Sequence, residues 1–254
     1  MIPVRWVLPA SWYTAMDRPR IEIGIDLEGI FRSRPNRFLG LVETDEGTLQ
    51  CHVPNPGRMF ELLYPGSQVM LSRAVNPLRK TSFDLVAVDC EGEVVSVDSR
   101  LPNRLVHSAL VMGWLPQFDG YTSILKEYHF GESRIDFLLQ NGKDCLLEVK
   151  SCTLIEGKRA LFPDAPTVRG RRHLSELVRA RMEGNRSAVV FVIQRSGAGR
   201  FSPNWGTDPE FSRTLQRARE LGVEVYAYGC EVDRECLTMG PAVEVEIGTD
   251  GGVS

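Results

Sequence analysis

Two carboxylates and an ammonium group lie close together near the middle of the chain. Asp136 falls in one predicted β-strand, and Glu148 and Lys150 fall in the next. Side chains alternate between the faces of a strand, so Glu148 and Lys150, two residues apart, project to the same side. Paired carboxylates on a rigid sheet can hold Mg²⁺ or Mn²⁺, and a lysine beside them can orient water or neutralise charge on a phosphodiester. All three are therefore candidate catalytic residues of a metal-dependent hydrolytic site.

The hairpin between the two strands decides whether this site can form. A strict two-residue loop at Asn141 and Gly142 would turn Asp136 to the face opposite Glu148. A three-residue loop would put Asp136 opposite Leu146 and on the same face as Glu148. An exposed sheet face with an ordinary Glu/Lys pair is the alternative, and spacing alone leaves both open.

Short β-type runs with turn signals between them fill residues 21–98. They lie at 21–31, 37–42, 48–53, 69–73, 83–88 and 94–97. A short helix is expected over 57–63, between the third and fourth runs. A small barrel with one helix at this point is the arrangement of an OB-fold, whose surface commonly binds oligonucleotides.

From residue 99 onward the pattern changes to alternating helices and strands, which predicts an α/β domain with a mixed sheet. Asn103 is expected to cap the first helix. Strands follow at 122–130, 134–139 and 144–151, then a helix over 167–183, a strand at 188–193, a helix after Asp208 and a strand at 223–228. We therefore expect an extension (1–20), an OB-like barrel (21–98), an α/β domain (99–247) and a tail (248–254).

The composition excludes several classes of protein. Hydrophobic residues are 43% and charged residues 25% of the chain, which are globular proportions. No apolar run approaches the ~18 to 20 residues of a membrane helix, so we expect no membrane partner. Six cysteines without a CxxC pair fit a reducing cytoplasm. A net charge of −3 gives no reason to expect a polyanion, so such a partner must be argued from local clusters.

Basic residues do cluster locally. One cluster lies on the second helix of the α/β half, and others flank turns of the barrel. Arginine suits phosphate because its planar fork donates two hydrogen bonds, and Phe38, Phe60 or Tyr64 could stack on an unpaired base. A solvated helix face with ordinary core aromatics is the alternative. The candidate nucleic-acid contacts are Arg34, Arg37, Arg58, Arg79, Lys80, Arg169, Arg171, Arg172 and His173.

Several short motifs occur in order along the chain. They include HVPNPGRM at 52–59, NPLRKT at 76–81, LPNRL at 101–105, SRIDF at 133–137, EVKS at 148–151 and FPDA at 162–165. Through these motifs the sequence resembles the sugar fermentation stimulation protein family from residue ~30 to ~240. The order of one helix, three strands, helix and strand in its second half resembles the PD-(D/E)XK nuclease superfamily.

The resemblance implies a mixed α+β fold, with an N-terminal OB-like barrel followed by a restriction-endonuclease-like α/β domain. It also implies DNA binding without sequence preference and a regulatory role in sugar (maltose) metabolism. Asp136, Glu148 and Lys150 map onto nuclease metal and catalytic positions, with Glu127 as a further metal-binding acid. In the first helix the family often has Glu where this chain has Ser108, and a missing carboxylate would weaken one metal site.

Three functions are open at this point. The preferred one is a cytoplasmic DNA-binding protein whose nuclease-like site binds Mg²⁺ or Mn²⁺. The second is an active metal-dependent endonuclease, for which a homodimer would allow cleavage of both strands. The third is a regulator that acts through a protein partner, with DNA affinity incidental.

Overall fold

A computed structural model describes residues 18–248. The tail beyond Gly248, and all but the last three residues of the predicted extension, lie outside this range. The elements of the N-terminal half are β1 (Arg20–Glu22), β2 (Leu27–Asn36), β3 (Leu39–Thr44), β4 (Gly47–His52), β5 (Gln68–Arg73), β6 (Phe83–Cys90) and β7 (Glu93–Ser96). Those of the C-terminal half are α1 (Leu101–Val111), a 3-10 turn (Pro116–Phe118), β8 (Ser123–Phe130), β9 (Ser133–Gln140), β10 (Cys145–Cys152), β11 (Ile155–Glu156), β12 (Arg159–Phe162), α2 (Val168–Met182), β13 (Arg186–Ile193), β14 (Arg200–Pro203), α3 (Pro209–Glu220), β15 (Glu224–Val232), β16 (Cys236–Ala242) and β17 (Glu244–Val245).

Five strands of the N-terminal half close into a barrel. Their order is β4-β3-β2-β5-β6, with β7 added beside β6. The barrel closes because β4 also pairs in parallel with β6, where His52 lies opposite Asp84. Apolar side chains fill the interior, among them Phe31, Val42 and Leu71. The predicted OB-like barrel is confirmed.

The helix expected over 57–63 is wrong. This segment makes a single turn, in which the Leu62 and Leu63 amides both donate to the Met59 carbonyl oxygen, at 3.0 and 2.8 Å. Met59 has a φ of 50°, which lies outside the right-handed helical region, so a helix cannot run through residues 57–63. Met59 and Leu62 are buried in the barrel core, while Phe60 between them is exposed.

The C-terminal half is built on a seven-stranded sheet of order β1-β16-β15-β13-β10-β9-β8. The pairs β10–β13 and β13–β15 are parallel and the other pairs are antiparallel, so the sheet is mixed, as expected. Alternate side chains of the central strand β13 face opposite layers. Val190 packs in the core under α1, whereas Val189 and Phe191 pack in the core that α2 and α3 cover.

Three features of this half differ from expectation. α1 begins at Leu101, so Asn103 lies inside the helix rather than at its cap. β1 pairs with β16 in the large sheet, which places residues 20–22 outside the barrel. A small second sheet, β11-β12-β14-β17, has strands too short to give a periodic signal.

None of the helices within 18–248 has both the length and the apolar character needed to cross a bilayer.

Asp84 links the barrel to α1. Its carboxylate is buried, and it accepts hydrogen bonds from Arg79 at 2.6 Å and from Arg100, which precedes α1, at 2.7 Å. Burial raises the pKa of Asp84, but the hydrogen bonds from the two guanidinium groups outweigh that effect and hold the pKa below its ordinary value. The charged carboxylate therefore stabilises the folded state.

We expect Asp84→Asn to lower the free energy of unfolding by about 2 kcal/mol at neutral pH. This is less than the ~3 to 5 kcal/mol lost when a fully buried pair is broken, because Arg100 is half exposed. The pKa of Asp84 is lower in the folded protein than in the unfolded chain. The additional stability of wild type over Asp84→Asn should therefore persist down to about pH 4 and disappear below it. Urea denaturation along a pH series measures this, with the exposed Asp45→Asn as control. Equal stability of wild type and Asp84→Asn at neutral pH would contradict the assignment.

Candidate functional site

The hairpin between β9 and β10 has the register that the site requires. Leu138 lies opposite Leu146, and Phe137 lies opposite Leu147. The same register continued by one residue puts Asp136 opposite Glu148. The connection is longer than the three residues expected, because residues 140–144 separate the last paired positions. The predicted pairing of Asp136 with Leu146 is therefore wrong. The paired register ends at Phe137 and Leu147. Just beyond it Asp136 reaches the Val149 amide of β10, so the two acids lie at neighbouring positions of adjacent strands.

Asp136 is held by the next strand and by α1. Its Oδ2 accepts from the Val149 amide at 2.8 Å, and its Oδ1 accepts from Asn103 Nδ2 at 2.6 Å. Burial raises the pKa of Asp136 to about 6, and the negative charge of Glu148 contributes to the same shift. Sequence reasoning missed Asn103 as a site residue, although its motif LPNRL was a signal.

Glu148 is 2% exposed, and its two oxygens have different surroundings. Oε1 accepts from Lys150 Nζ at 2.5 Å and from His173 Nδ1. Burial raises the pKa of Glu148, but the Lys150 ammonium and the His173 hydrogen bond outweigh burial, so the pKa lies below its ordinary value. Oε2 is buried and has no hydrogen-bond partner. A charged oxygen in this position is costly unless a cation satisfies it.

The His173 ring has a defined proton position. Arg169 Nε lies 3.3 Å from His173 Nε2, and a guanidinium nitrogen can only donate. His173 Nε2 therefore accepts, which leaves the ring proton on Nδ1, facing Glu148. His173 is 2% exposed, so its predicted role as a phosphate contact is not supported by its position.

Asp136 and Glu148 fit a divalent cation, because they offer carboxylates on two adjacent strands and an unpartnered buried oxygen. Within residues 18–248, no group of three or more His, Cys, Asp and Glu side chains is placed to hold a metal ion. Glu127, the predicted third acid, instead lies 2.5 Å from Arg134, with both side chains about half exposed. Ser108 supplies only a hydroxyl, which lies 3.6 Å from Met112 Sδ. The protein would thus supply two carboxylates, and Mg²⁺ commonly keeps several waters.

Three of the predicted nucleic-acid contacts are used inside the fold. Arg34 donates to backbone carbonyls of the barrel, Arg79 binds Asp84, and Arg171 Nη1 lies 3.4 Å from the buried Asp208 carboxylate. Their contacts identify them as stabilising residues. The exposed members of the predicted set are Arg37, Arg58, Lys80, Arg169 and Arg172.

Two family models cover most of the chain. Residues 33–97 match the SfsA N-terminal OB domain, and residues 100–236 match the sugar fermentation stimulation protein RE domain. A sugar fermentation stimulation protein homolog of Chloroflexus aurantiacus is 47% identical over 86% of this chain and 85% of that protein. The homolog of Moorella thermoacetica is 45% identical over 87% of this chain and 97% of that protein.

A solved structure shows the same architecture. Pyrococcus furiosus SfsA, solved in complex with Ca²⁺, superposes with a TM-score of 0.81 at 31% identity, covering 89% of this chain and 99% of that chain. The barrel coincides with the region that the OB-domain model matches, and the mixed sheet coincides with the region that the RE-domain model matches. This chain belongs to the sugar fermentation stimulation protein family.

Proposed function

We propose that this protein binds DNA through phosphate contacts and holds a divalent metal ion between Asp136 and Glu148. The observation that carries the proposal is the buried, unpartnered Oε2 of Glu148, on the strand whose Val149 amide binds Asp136. The Ca²⁺ complex of the Pyrococcus furiosus relative supports a divalent cation in this family. Ca²⁺, Mg²⁺ and Mn²⁺ all prefer oxygen ligands of this type.

The same residues favour phosphodiester hydrolysis as a second candidate function. When bound, Mg²⁺ or Mn²⁺ would activate a water molecule and stabilise charge on the phosphate. Lys150, with Nζ held by Glu148 and its side chain 12% exposed, places an ammonium where it can neutralise developing negative charge. His173, fixed by Arg169, keeps Oε1 of Glu148 engaged so that Oε2 stays free.

Exposed cations near this site support DNA as the partner. Arg169 and Arg172 lie in the first turns of α2, and His173 follows them into the site. Cations on one helix beside a carboxylate pair would hold a phosphate backbone while the reacting phosphate meets the carboxylates. The family name suggests that such binding serves regulation of sugar metabolism. Homodimer formation stays a prediction.

We also place the protein in the cytoplasm. Its six cysteines, all within the described residues, are free thiols, and four of them are buried. Buried free thiols are the usual state of cysteine in a reducing compartment.

The first test measures metal binding directly. Calorimetric titration with Mn²⁺ should show one bound ion in wild type, with binding lost in Glu148→Ala, because Oε2 has no substitute. Glu127→Ala is the matched control, since its carboxylate pairs with Arg134 and should not affect the titration. Nicking of plasmid DNA that requires Mn²⁺ and disappears in Glu148→Ala would establish hydrolysis. Unchanged Mn²⁺ binding in Glu148→Ala would refute the proposed site.

A second prediction concerns the stability of the metal-free protein. Because the pKa of Asp136 is about 6 in the fold and about 3.9 in an unfolded chain, charged Asp136 destabilises the fold above pH 6. Asp136→Asn should raise the free energy of unfolding by about 2 kcal/mol near pH 7.5, and this gain should vanish as the pH falls to about 4.

Glu148→Gln should change the stability of the metal-free protein in the opposite direction to Asp136→Asn. It should destabilise the metal-free protein, because buried Lys150 and His173 lose their charged partner. Thermal denaturation in EDTA measures both variants. Addition of Mn²⁺ should raise the melting temperature of wild type and not that of Asp136→Asn. A less stable Asp136→Asn in EDTA near pH 7.5 would contradict the assignment of Asp136 as a charge that burial and Glu148 destabilise.

A third prediction concerns the phosphate contacts. Arg172→Ala should weaken duplex binding several-fold and reduce the slope of log affinity against log salt by about one, because one phosphate contact is lost. Arg217→Ala is the control, since it removes another exposed arginine, from α3. Binding in wild type that does not depend on salt would instead favour the alternative of a regulator that acts through a protein partner.

A further inference from the structure

Two exposed phenylalanines of the barrel each lie beside an arginine. Phe38 is 47% and Phe60 is 73% exposed. The Arg37 guanidinium lies 5.9 Å from the Phe38 ring centroid, and that of Arg58 lies 6.0 Å from the Phe60 centroid. An aromatic ring paired with a cation offers a stacking surface for a base and a charge for the adjacent phosphate.

Arg34 fixes these two pairs side by side. Its Nη2 donates to the Arg37 carbonyl at 2.5 Å, and its Nη1 donates to the Arg58 carbonyl at 3.0 Å. The same guanidinium donates to the carbonyls of Asn55 and Gly57, both at 2.6 Å. One partly buried guanidinium therefore sets the spacing of the two cation–aromatic pairs.

Phe38 also stacks on a ring from the neighbouring strand. His52, at the end of β4, lies with its ring centroid 6.1 Å from that of Phe38 at an interplanar angle of 27°, and its Nδ1 is 3.1 Å from the Phe38 carbonyl oxygen. Phe38 immediately precedes β3. In an OB-fold these two strands, the second and third of the barrel, form the surface that commonly receives oligonucleotides.

The turn that carries Phe60 abuts the C-terminal half. The Met59 amide donates to Asp164 Oδ2 at 3.0 Å, and a Cβ atom on Gly57 would come within 2.5 Å of the same oxygen. The Cys152 thiol donates to the Leu161 carbonyl oxygen at 3.3 Å, three residues before Asp164. Cys152 is two residues beyond Lys150 on β10. The turn that carries Phe60 is therefore connected, through the segment that contains Asp164, to the C-terminal end of β10, the strand of Glu148 and Lys150.

We infer that Arg37, Phe38, His52, Arg58 and Phe60, here named the stacking platform, bind the unpaired bases of a single-stranded DNA segment that leads toward Asp136 and Glu148. The preferred ligand is then DNA in which a single strand adjoins a duplex. This inference rests on the proposed function, since it names the DNA structure that the same site would receive. Rings exposed to this degree have no role in the barrel core, and their arginine neighbours complement a phosphate backbone in charge.

The test compares three fluorescent DNA probes by anisotropy with the full chain in EDTA. The probes are a blunt duplex, the same duplex with a single-stranded overhang, and the overhang probe with abasic sites in place of its unpaired bases. Wild type should bind the overhang at least about tenfold more tightly than the duplex, and the abasic probe should lose this gain, because phosphates without bases cannot stack.

The double variant F38A/F60A should lose about 30-fold in affinity for the overhang and little for the duplex, since two stacking rings are removed. F38Y/F60Y keeps both ring faces and should retain the preference. Val111→Ala, which shortens an exposed apolar side chain on α1, is the matched control and should behave as wild type. Retained Mn²⁺ binding by F38A/F60A shows that the variant is folded.

The outcomes separate the inference from the proposed function. Equal affinity of wild type for the normal and abasic overhangs, or an unchanged preference in F38A/F60A, would overturn the stacking platform while leaving duplex binding intact. Wild type that binds none of the three probes would refute DNA binding itself.

Discussion

A buried carboxylate that stays charged is the constraint on which the site depends. Glu148 is almost completely enclosed, and an isolated charge there would cost several kcal/mol. Lys150 from the same strand and His173 from α2 compensate by contacting one oxygen of the carboxylate. His173 reaches this oxygen because its neighbour Leu174, with Leu177 one turn further on, packs against the sheet and fixes the helix in place. Apolar packing of α2 thus determines the electrostatics of the site.

The arginines of the chain divide into those that build the fold and those that face solvent. Arg34, Arg79 and Arg171 satisfy internal carbonyls or buried carboxylates, and such contacts are strong because the partners are removed from water. An arginine committed in this way has lost its freedom to follow a phosphate backbone. The exposed positive surface is consequently smaller than the number of basic residues in the clusters indicates, and the proposed DNA contacts are confined to the first turns of α2 and to the barrel.

Sequence patterns were sufficient for the barrel, the mixed sheet and the placement of Glu148 and Lys150 on one face of a strand, because two-residue periodicity and turn residues are local properties. They were insufficient where the outcome depended on a distant partner. The length of the β9–β10 connection, the contact between Asn103 and Asp136, and the commitment of Arg34 to four carbonyls all arise from tertiary packing. The turn at Met59 was misread as a helix because its apolar spacing serves the barrel core instead.

The two acids of the site have pKa values shifted in opposite directions, and this asymmetry follows from their partners. Lys150 and His173 both bind Glu148, so its charge is compensated, whereas Asp136 receives only neutral donors, from Asn103 and the Val149 amide. The raised pKa of Asp136 in the metal-free protein therefore comes first from burial and then from repulsion by the Glu148 carboxylate. A single divalent cation would satisfy the free oxygen of Glu148 and remove the repulsion on Asp136 at the same time. In the proposed site, the destabilising charge of the metal-free protein and the affinity for a cation would have the same physical origin.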